Sequence, residues 1–460
     1  MSTTAERIAP FSNEPIKTYT DPADVAAMQA ALASVKAGFR KKYPLIIDGE
    51  RIFTEKTIPS LNPSSPDDVV GDISSASLAQ ANRAIEIAHE RFHTWKDTSA
   101  DERANILFKA AELVRARRYH FNALMVYEVG KSWVEADADT AEAIDFMEFY
   151  GREALRYAGK HPVTPIPGED NELRYIPLGA GVVIPPWNFA FAIMAGMTSA
   201  ALVTGNTVVL KPSSDSAVIA AWFVELLHEI GVPNGVVNFV PGSGSEIGDA
   251  IVEHRLTRFV SFTGSKEVGL RVNERAAKTQ PGQKWIKRVV AEMGGKDSIV
   301  VAADADVDAA VEGVAVSAFG FQGQKCSACS RAIVDEKIYD EFVEKLKARV
   351  AKITVGDVSE QKHWMGPVVN ERALTSISKY IETGKKEGRL VAGGKRIGDT
   401  GYFLEPTVIA DVAPDAVIAQ EEIFGPVLAI IKARDYDHAL EIANNTEFGL
   451  TGAVFTSDEA

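Results

Sequence analysis

Two side chains stand out among those that could do covalent chemistry. Cys326 lies in the run Phe321-Gln322-Gly323-Gln324-Lys325-Cys326-Ser327, and Glu292 lies upstream in Ala291-Glu292-Met293-Gly294-Gly295-Lys296. A thiol in what reads as a flexible polar loop, preceded by a glycine-rich segment carrying a carboxylate, suits covalent thioester chemistry followed by hydrolysis. An enzyme is therefore the first reading. Metal and redox chemistry compete with it. The eight histidines are scattered, and only His89 and His93 have helical i, i+4 spacing, outside any H-E-x-x-H context. That pair reads as a solvated helix face. Cys326 and Cys329 form a C-x-x-C, which is half a zinc site or a redox pair in other settings. A second pair of ligands at suitable spacing is missing, so no metal is expected. Two cysteines also cannot make a disulfide framework.

These groups must be held by something, and the pattern of the chain says what. From Ala79 to about Arg156, apolar residues recur at three- and four-residue spacing, which predicts two or three long helices. Short apolar, β-branched runs follow at Gly181–Ile184, Asn206–Leu210, Val236–Val240, Phe259–Phe262 and Val289–Ala291, with helical stretches at Ser216–Ile230 and Glu246–Glu253 between them. A second alternation runs through Ser298–Val301, a helix at Val307–Ala318, Ala332–Val334, a helix at Lys337–Val350 and a strand at Val427–Ile431. The fold class is α/β, with mostly parallel, doubly wound sheets. The glycines of Met293-Gly294-Gly295 suggest two domains, 1–290 and 291–460, with the thiol in the second.

Ligands of open parallel sheets collect at the carboxyl ends of the strands. The residues there are Pro186-Trp187-Asn188-Phe189, Lys211-Pro212-Ser213-Ser214, Pro241-Gly242-Ser243-Gly244, Thr263-Gly264-Ser265 and Glu292. Gly264-Ser265, opening a helix, can offer free N–H groups to a pyrophosphate, and Lys211 can reach a ribose or phosphate. Singly each is an ordinary turn or a solvated lysine; jointly they favour a dinucleotide site. The G-x-G-x-x-G fingerprint is absent, because Gly242-Ser243-Gly244-Ser245-Glu246-Ile247-Gly248 has one residue too many. A P-loop fails too, since Gly393-Gly394-Lys395 is followed by Arg396.

Composition narrows the class. The 460 residues are 46% hydrophobic and 24% charged, near globular averages, and the formal net charge of −14 would repel a phosphate backbone. No nucleic acid partner is expected. No apolar run approaches the span of a bilayer, and the polar, mixed-charge start from Met1 to Ile16 is unlike a signal peptide. A cytoplasmic protein with no membrane partner is the expectation.

Six ordered segments together resemble the aldehyde dehydrogenase superfamily over nearly the whole chain: Pro186-Trp187-Asn188-Phe189, Lys211-Pro212-Ser213, Phe262-Thr263-Gly264-Ser265 with Val268-Gly269, Glu292-Met293-Gly294-Gly295-Lys296, Gly323-Gln324-Lys325-Cys326, and Glu421-Glu422-Ile423-Phe424-Gly425-Pro426. The resemblance implies a variant Rossmann domain for NAD beside an α/β catalytic domain, which accounts for the missing fingerprint. It also implies roles. Cys326 would attack an aldehyde carbon, Asn188 and the Cys326 N–H would hold the resulting oxyanion, and Glu292 would activate the water that releases the acid. Lys211 and Glu422 would hold the two riboses, Gly264 and Ser265 the pyrophosphate, with Ile184, Trp187, Gly242 and Phe424 lining the cofactor cleft.

Within the superfamily, Pro167-Gly168-Glu169-Asp170-Asn171-Glu172, Lys211-Pro212-Ser213-Ser214-Asp215-Ser216, Pro281-Gly282-Gln283-Lys284-Trp285 and the run from Gly320 to Arg331 resemble the 1-pyrroline-5-carboxylate dehydrogenase branch. The implied reaction is oxidation of L-glutamate γ-semialdehyde to L-glutamate, completing proline breakdown. Ser327 would hydrogen-bond the α-carboxylate, Glu142 would approach the amino group and Phe189 would pack on the aliphatic stem; Ser327 could equally satisfy a local backbone group. Ser214 stands where many NAD-specific relatives carry a glutamate that repels a 2′-phosphate, so NAD with measurable NADP use is expected. The resemblance further implies that a C-terminal oligomerisation segment lies beyond Ala460, and that the full-length protein is a homo-oligomer. Competing readings are a dehydrogenase for another semialdehyde or betaine aldehyde, a catalytically silent cofactor binder, and a redox-sensing C-x-x-C protein.

Overall fold

The computed structural model describes residues 8–458. The first seven residues, which contribute to the reading of the polar start, and Glu459 and Ala460 at the chain end lie outside that range. The described chain forms two compact units. The first holds the residues up to Leu61, Val69–Glu128 and Ala136–Glu292; the second holds Asn62–Asp68, Val129–Glu135 and the chain from Met293 on.

The N-terminal part comprises α1 (Pro22–Ala37), β1 (Lys41–Tyr43), β2 (Leu45–Ile47), β3 (Glu50–Ile52), β4 (Thr57–Asn62) and β5 (Ser65–Ser74). Four helices follow where two or three were expected: α2 (Leu78–Trp95), α3 (Ala100–Ala116), α4 (Arg118–Val129) and α5 (Trp133–Ala158). The apolar period runs on through the breaks, so capping rather than hydrophobicity marks them. Ser77 and Ser99 each close a capping box, with Gln80 and Glu102 answering from N3.

The alternating region of the first unit gives β6 (Ala180–Ile184), α6 (Ala192–Val203), β7 (Thr207–Leu210), α7 (Ala217–Glu229), β8 (Val237–Phe239), α8 (Asp249–Glu253), β9 (Phe259–Thr263), α9 (Lys266–Ala277) and β10 (Arg288–Glu292). The helix expected at Glu246–Glu253 opens instead with a wider π turn at Gly244–Gly248, where two glycines weaken the α hydrogen-bond pattern. Seven strands form one sheet in the order β10-β9-β6-β7-β8-β2-β3. The five from the alternating region are all parallel, and the β2–β3 hairpin adds antiparallel to β8.

The second unit contributes β11 (Ser298–Val301), α10 (Val307–Phe319), β12 (Arg331–Asp335), α11 (Tyr339–Val350), α12 (Glu371–Glu387), β13 (Arg389–Ala392), β14 (Thr407–Ala410), α13 (Val417–Gln420), β15 (Val427–Ala433), α14 (Tyr436–Asn444) and β16 (Gly452–Phe455), with sheet order β13-β14-β15-β12-β11-β16. Alternate residues of its strands enter two different cores. Ile299, Val301, Ala332 and Val334 pack with α10 and α11, while Val300 and Ile333 pack with α12 and α14. Burial of both faces is why these strands read as unbroken apolar runs. Among the described residues, no helix is long and apolar enough to cross a membrane.

Candidate active site

In the first unit the parallel strands end in register. Val183 stands opposite Leu210, Ile184 opposite Phe262, and Thr263 opposite Glu292. The chain builds outward through β6, β7 and β8, then returns to the other side of β6 for β9 and β10, so the order reverses between β6 and β9. Such a reversal leaves a crevice at the carboxyl ends of the two strands, the usual dinucleotide position. Asn188, Lys211, Gly242, Gly264, Ser265 and Glu292 all follow or end strands at this edge.

Their local settings differ in ways that matter. Lys211, expected to be an ordinary solvated strand-end lysine if bland, is buried. Among the described residues its ammonium meets only the Pro212 carbonyl, at 3.4 Å, and burial pushes its pKa down to about 8. A buried cation so poorly satisfied calls for a polar ligand. Ser265 caps α9 by accepting from the Val268 N–H at 3.4 Å, and Gly264 donates to the Glu292 carbonyl at 3.1 Å, tying the two strand ends together. A Cβ at Gly264 would lie 2.7 Å from the Phe262 ring, and one at Gly242 would lie 2.6 Å from the tip of Ile247, so a larger residue at either position would have to displace its neighbour. Ser214 is exposed in the turn before α7, Ile184 and Trp187 are half-buried, Asn188 is buried, and the Glu292 carboxylate is exposed.

α7 has no cap from Ser216. Glu128 supplies it from a distance: its carboxylate, 1% exposed, accepts from the N–H groups of Val218 at 2.7 Å and Ile219 at 3.0 Å and from Ser60 Oγ at 2.9 Å. Burial nevertheless pushes Glu128 up to about 7. The Lys211–Ser216 turn leads directly into the helix end that Glu128 holds.

In the second unit, the segment before Cys326 is neither loose nor exposed, contrary to its polar composition. Gly320 to Gln324 are buried, and three consecutive residues, Phe321, Gln322 and Gly323, adopt left-handed backbone with φ of 47°, 59° and 64°. Non-glycine residues rarely sit there, at a cost of about 1–2 kcal/mol each. Side-chain bonds hold the turn. Gln322 Nε2 donates to the carbonyls of Gly130 at 3.0 Å and Pro367 at 2.6 Å, and its Oε1 accepts from the Gly366 N–H at 3.0 Å. Gln324 Oε1 accepts from the Val369 N–H at 2.9 Å, and Lys325 pairs with Glu135 at 2.8 Å. Cys326 emerges half-buried, followed by exposed Ser327.

The two motif glycines explain themselves here. A Cβ on Gly295 would collide with the Cys326 carbonyl, and one on Gly294 with the Glu422 carboxylate. The Glu422 carboxylate in turn accepts from the Gly295 N–H at 3.0 Å, and burial raises its pKa. Phe424 sits two residues on with φ of 55°. Cys329 is fully buried, with its thiol pushed up to about 12 by burial, which leaves it inert beside Cys326.

The remaining candidates are dispersed over other elements. Glu142 lies half-buried on α5, near enough to Tyr150 to contribute to raising the phenol's pKa behind desolvation. Phe189 is half-buried after Asn188. His89 and His93 face each other edge-on at 5.3 Å on α2, and no cluster of three or more His, Cys, Asp or Glu suited to a metal ion occurs among the described residues. Reading the residues missed Glu128 and assigned no task to Gln322 or Gln324. The two glutamines, flanked by glycines in a buried turn, were visible as a pattern; Glu128, far along the chain from the helix it caps, left no local trace.

Comparison with known proteins places the chain's sequence and fold. The aldehyde dehydrogenase family profile matches residues 52–460. The 1-pyrroline-5-carboxylate dehydrogenase of Geobacillus thermodenitrificans is 56% identical over 98% of this chain and 88% of its own length. A crystal structure of 1-pyrroline-5-carboxylate dehydrogenase from Thermus with bound NAD superposes with a TM-score of 0.97 at 50% identity, covering 98% of this chain and 88% of that one. Betaine aldehyde dehydrogenase from Staphylococcus aureus in complex with NAD+ is more distant, with a TM-score of 0.88 at 30% identity over 94% of this chain and 86% of that one.

Proposed function

The chain belongs to the aldehyde dehydrogenase family, and we propose that it oxidises L-glutamate γ-semialdehyde, the open form of 1-pyrroline-5-carboxylate, to L-glutamate in the last step of proline degradation. It is an NAD-dependent aldehyde dehydrogenase. The substrate reading is carried by the identity to 1-pyrroline-5-carboxylate dehydrogenases, 56% over 98% of the chain, against 30% for the betaine aldehyde enzyme.

The residues suit NAD. The buried, under-satisfied Lys211 ammonium answers ribose hydroxyls, and the Gly264-Ser265 turn at the start of α9 answers a pyrophosphate. Glu422 is assigned the second ribose, and Ile184, Trp187, Gly242 and Phe424 the walls around the cofactor. When bound, NAD supplies the acceptor for the hydride that leaves the aldehyde carbon. Cys326 attacks that carbon as a thiolate, making a thiohemiacetal whose oxyanion is held by the Asn188 amide and the Cys326 N–H. An aldehyde has no leaving group but hydride, so collapse of the adduct leaves a thioester on Cys326. Glu292 then takes a proton from water, whose oxygen adds to the thioester and expels the thiol. Ser327, Glu142 and Phe189 are assigned the carboxylate, amino group and stem of the substrate.

Three companion readings go with this one. Ser214 offers no carboxylate to repel a 2′-phosphate, which supports secondary use of NADP. Exposed Tyr175 and Ile176, in the long segment between α5 and β6, support a homo-oligomer. The acidic, globular composition supports a cytoplasmic location. The decisive test is steady-state NADH formation from glutamate semialdehyde against betaine aldehyde and simple aliphatic aldehydes. The highest kcat/KM should belong to the semialdehyde, and a clear preference for any other aldehyde overturns the substrate reading.

A further inference from the structure

A cavity of about 600 Å³ opens in the first unit, and none of the residues assigned to the reaction lines it. It is lined by β1 and the residues after it, by β3 and Phe53, by the start of α4 and by the last turns of α7. The cofactor residue Ser214 precedes α7, whereas the cavity touches that helix from Trp222 to Glu229, about 10–20 Å further along its axis.

The lining is built in two layers. The floor is aromatic and apolar: Phe121, Tyr43 and Leu226 are buried, and the Trp222 indole donates to the Tyr43 hydroxyl at 3.1 Å. That bond uses Tyr43 as an acceptor, and no acceptor for its own proton is present among the described residues. Phe53, 60% exposed, also lines the cavity and offers an open aromatic face to a guest.

The rim is cationic in a chain whose net charge is −14. Four cations, Lys41, Lys42, Arg51 and Arg117, meet two carboxylates, Glu225 and Glu229. Both carboxylates are already engaged, Glu225 by two nitrogens of Arg51 and Glu229 by Arg117 at 2.6 and 2.8 Å. Each guanidinium keeps further N–H groups beyond those two bonds. Lys41 and Lys42 are exposed and pair with no carboxylate of a described residue, Lys41 lying 5.4 Å over the Tyr43 ring. Flat apolar walls, one buried hydroxyl donor and an uncompensated positive rim are complementary to one kind of guest, and the volume lies within the usual range for small-molecule sites.

We propose that this cavity binds a small ligand made of a planar aromatic ring bearing a carboxylate or phosphate, with the ring against Trp222 and Phe53 and the anion at Lys41 and Lys42. The two anionic groups represent different sources of one chemistry, and the test separates them. 2-Naphthoate and 2-naphthyl phosphate are titrated calorimetrically into the enzyme saturated with NAD, which keeps them out of the cofactor site, with 2-naphthylmethanol as the uncharged counterpart. Saturable one-to-one binding is expected for whichever anion the site prefers, about tenfold weaker for the alcohol and for the Lys41→Glu, Lys42→Glu double variant. The Lys379→Glu, Lys386→Glu variant carries the same change of net charge on α12 and should bind as the parent does. Phe53→Ala, a change at an exposed side chain, should weaken binding while leaving kcat and KM for the aldehyde unchanged. The proposal is overturned by the absence of saturable binding at millimolar ligand, by equal loss in both double variants, or by full displacement of the ligand with aldehyde substrate.

Discussion

Gln322→Ala tests whether a single buried amide holds the turn that leads into Cys326, the proposed nucleophile. The side chain makes three bonds, donating to the Gly130 and Pro367 carbonyls and accepting from the Gly366 N–H. It is 1% exposed, so truncation leaves those groups facing an emptied space rather than bulk water. A buried group that loses its partner costs about 1–3 kcal/mol, and water entering the vacated volume brings the three to the lower end, about 3–5 kcal/mol together. Part of that is returned as the left-handed turn relaxes, since Phe321 and Gln322 each store about 1–2 kcal/mol in that conformation. A net loss of about 2–3 kcal/mol should appear as a lower midpoint in urea unfolding followed by tryptophan fluorescence. The same relaxation re-aims Cys326 and its N–H, so kcat should fall by about tenfold or more. Alkylation of Cys326 by iodoacetamide reports the re-aiming directly, because Cys329 is buried and its thiol is pushed up to about 12. Stability within about 0.5 kcal/mol of the parent, with unaltered alkylation, would show that the turn stands without its strap.

Glu292→Gln should retain a pre-steady-state burst of NADH while steady turnover collapses, because hydride transfer precedes the hydrolytic step; equal loss of burst and turnover removes the carboxylate from that role. Cys329→Ser should keep most activity, and an inactive variant would favour a redox C-x-x-C instead. Glu128 gives a signed pH effect. Burial raises its folded pKa from 4.5 to about 7, so the native state keeps a proton that the unfolded chain has lost. Its stabilising contribution is full below about 4.5 and is lost as pH rises through about 7. Denaturant midpoints of Glu128→Gln should therefore fall less across that window than those of the parent, and parallel curves would contradict the assignment. NADP should support measurable turnover at millimolar concentration, and Ser214→Glu should abolish it with little effect on NAD; no turnover with NADP in the parent defeats that reading.

Much of this protein is legible in its residues alone. The strands β6, β7 and β11 fall where short β-branched runs end in glycine or a polar turn, because burial on both faces forces continuous apolar sequence and leaves a signal independent of distant contacts. The edge strands β13 and β16 leave no such mark: they are half-exposed or exposed, and nothing local separates them from loop. The chemistry is legible for a similar reason, since a thiol, a carboxylate and strand-end polar residues must be the right residue types wherever they fold.

What the tertiary structure decided is how tightly those residues are held and by what. Gln322 reads as part of a flexible polar loop, but it satisfies main-chain groups contributed by residues near 130 and 366, and only the fold brings those three segments together. Lys211 reads equally as a solvated strand end or a ligand contact, and only the fold shows that it is buried. Glu128 lies ninety residues before the helix it caps. The physical reason is common to all three. Residue type and periodicity are properties of neighbours in sequence, whereas desolvation and the satisfaction of buried polar groups depend on which distant backbone arrives beside them.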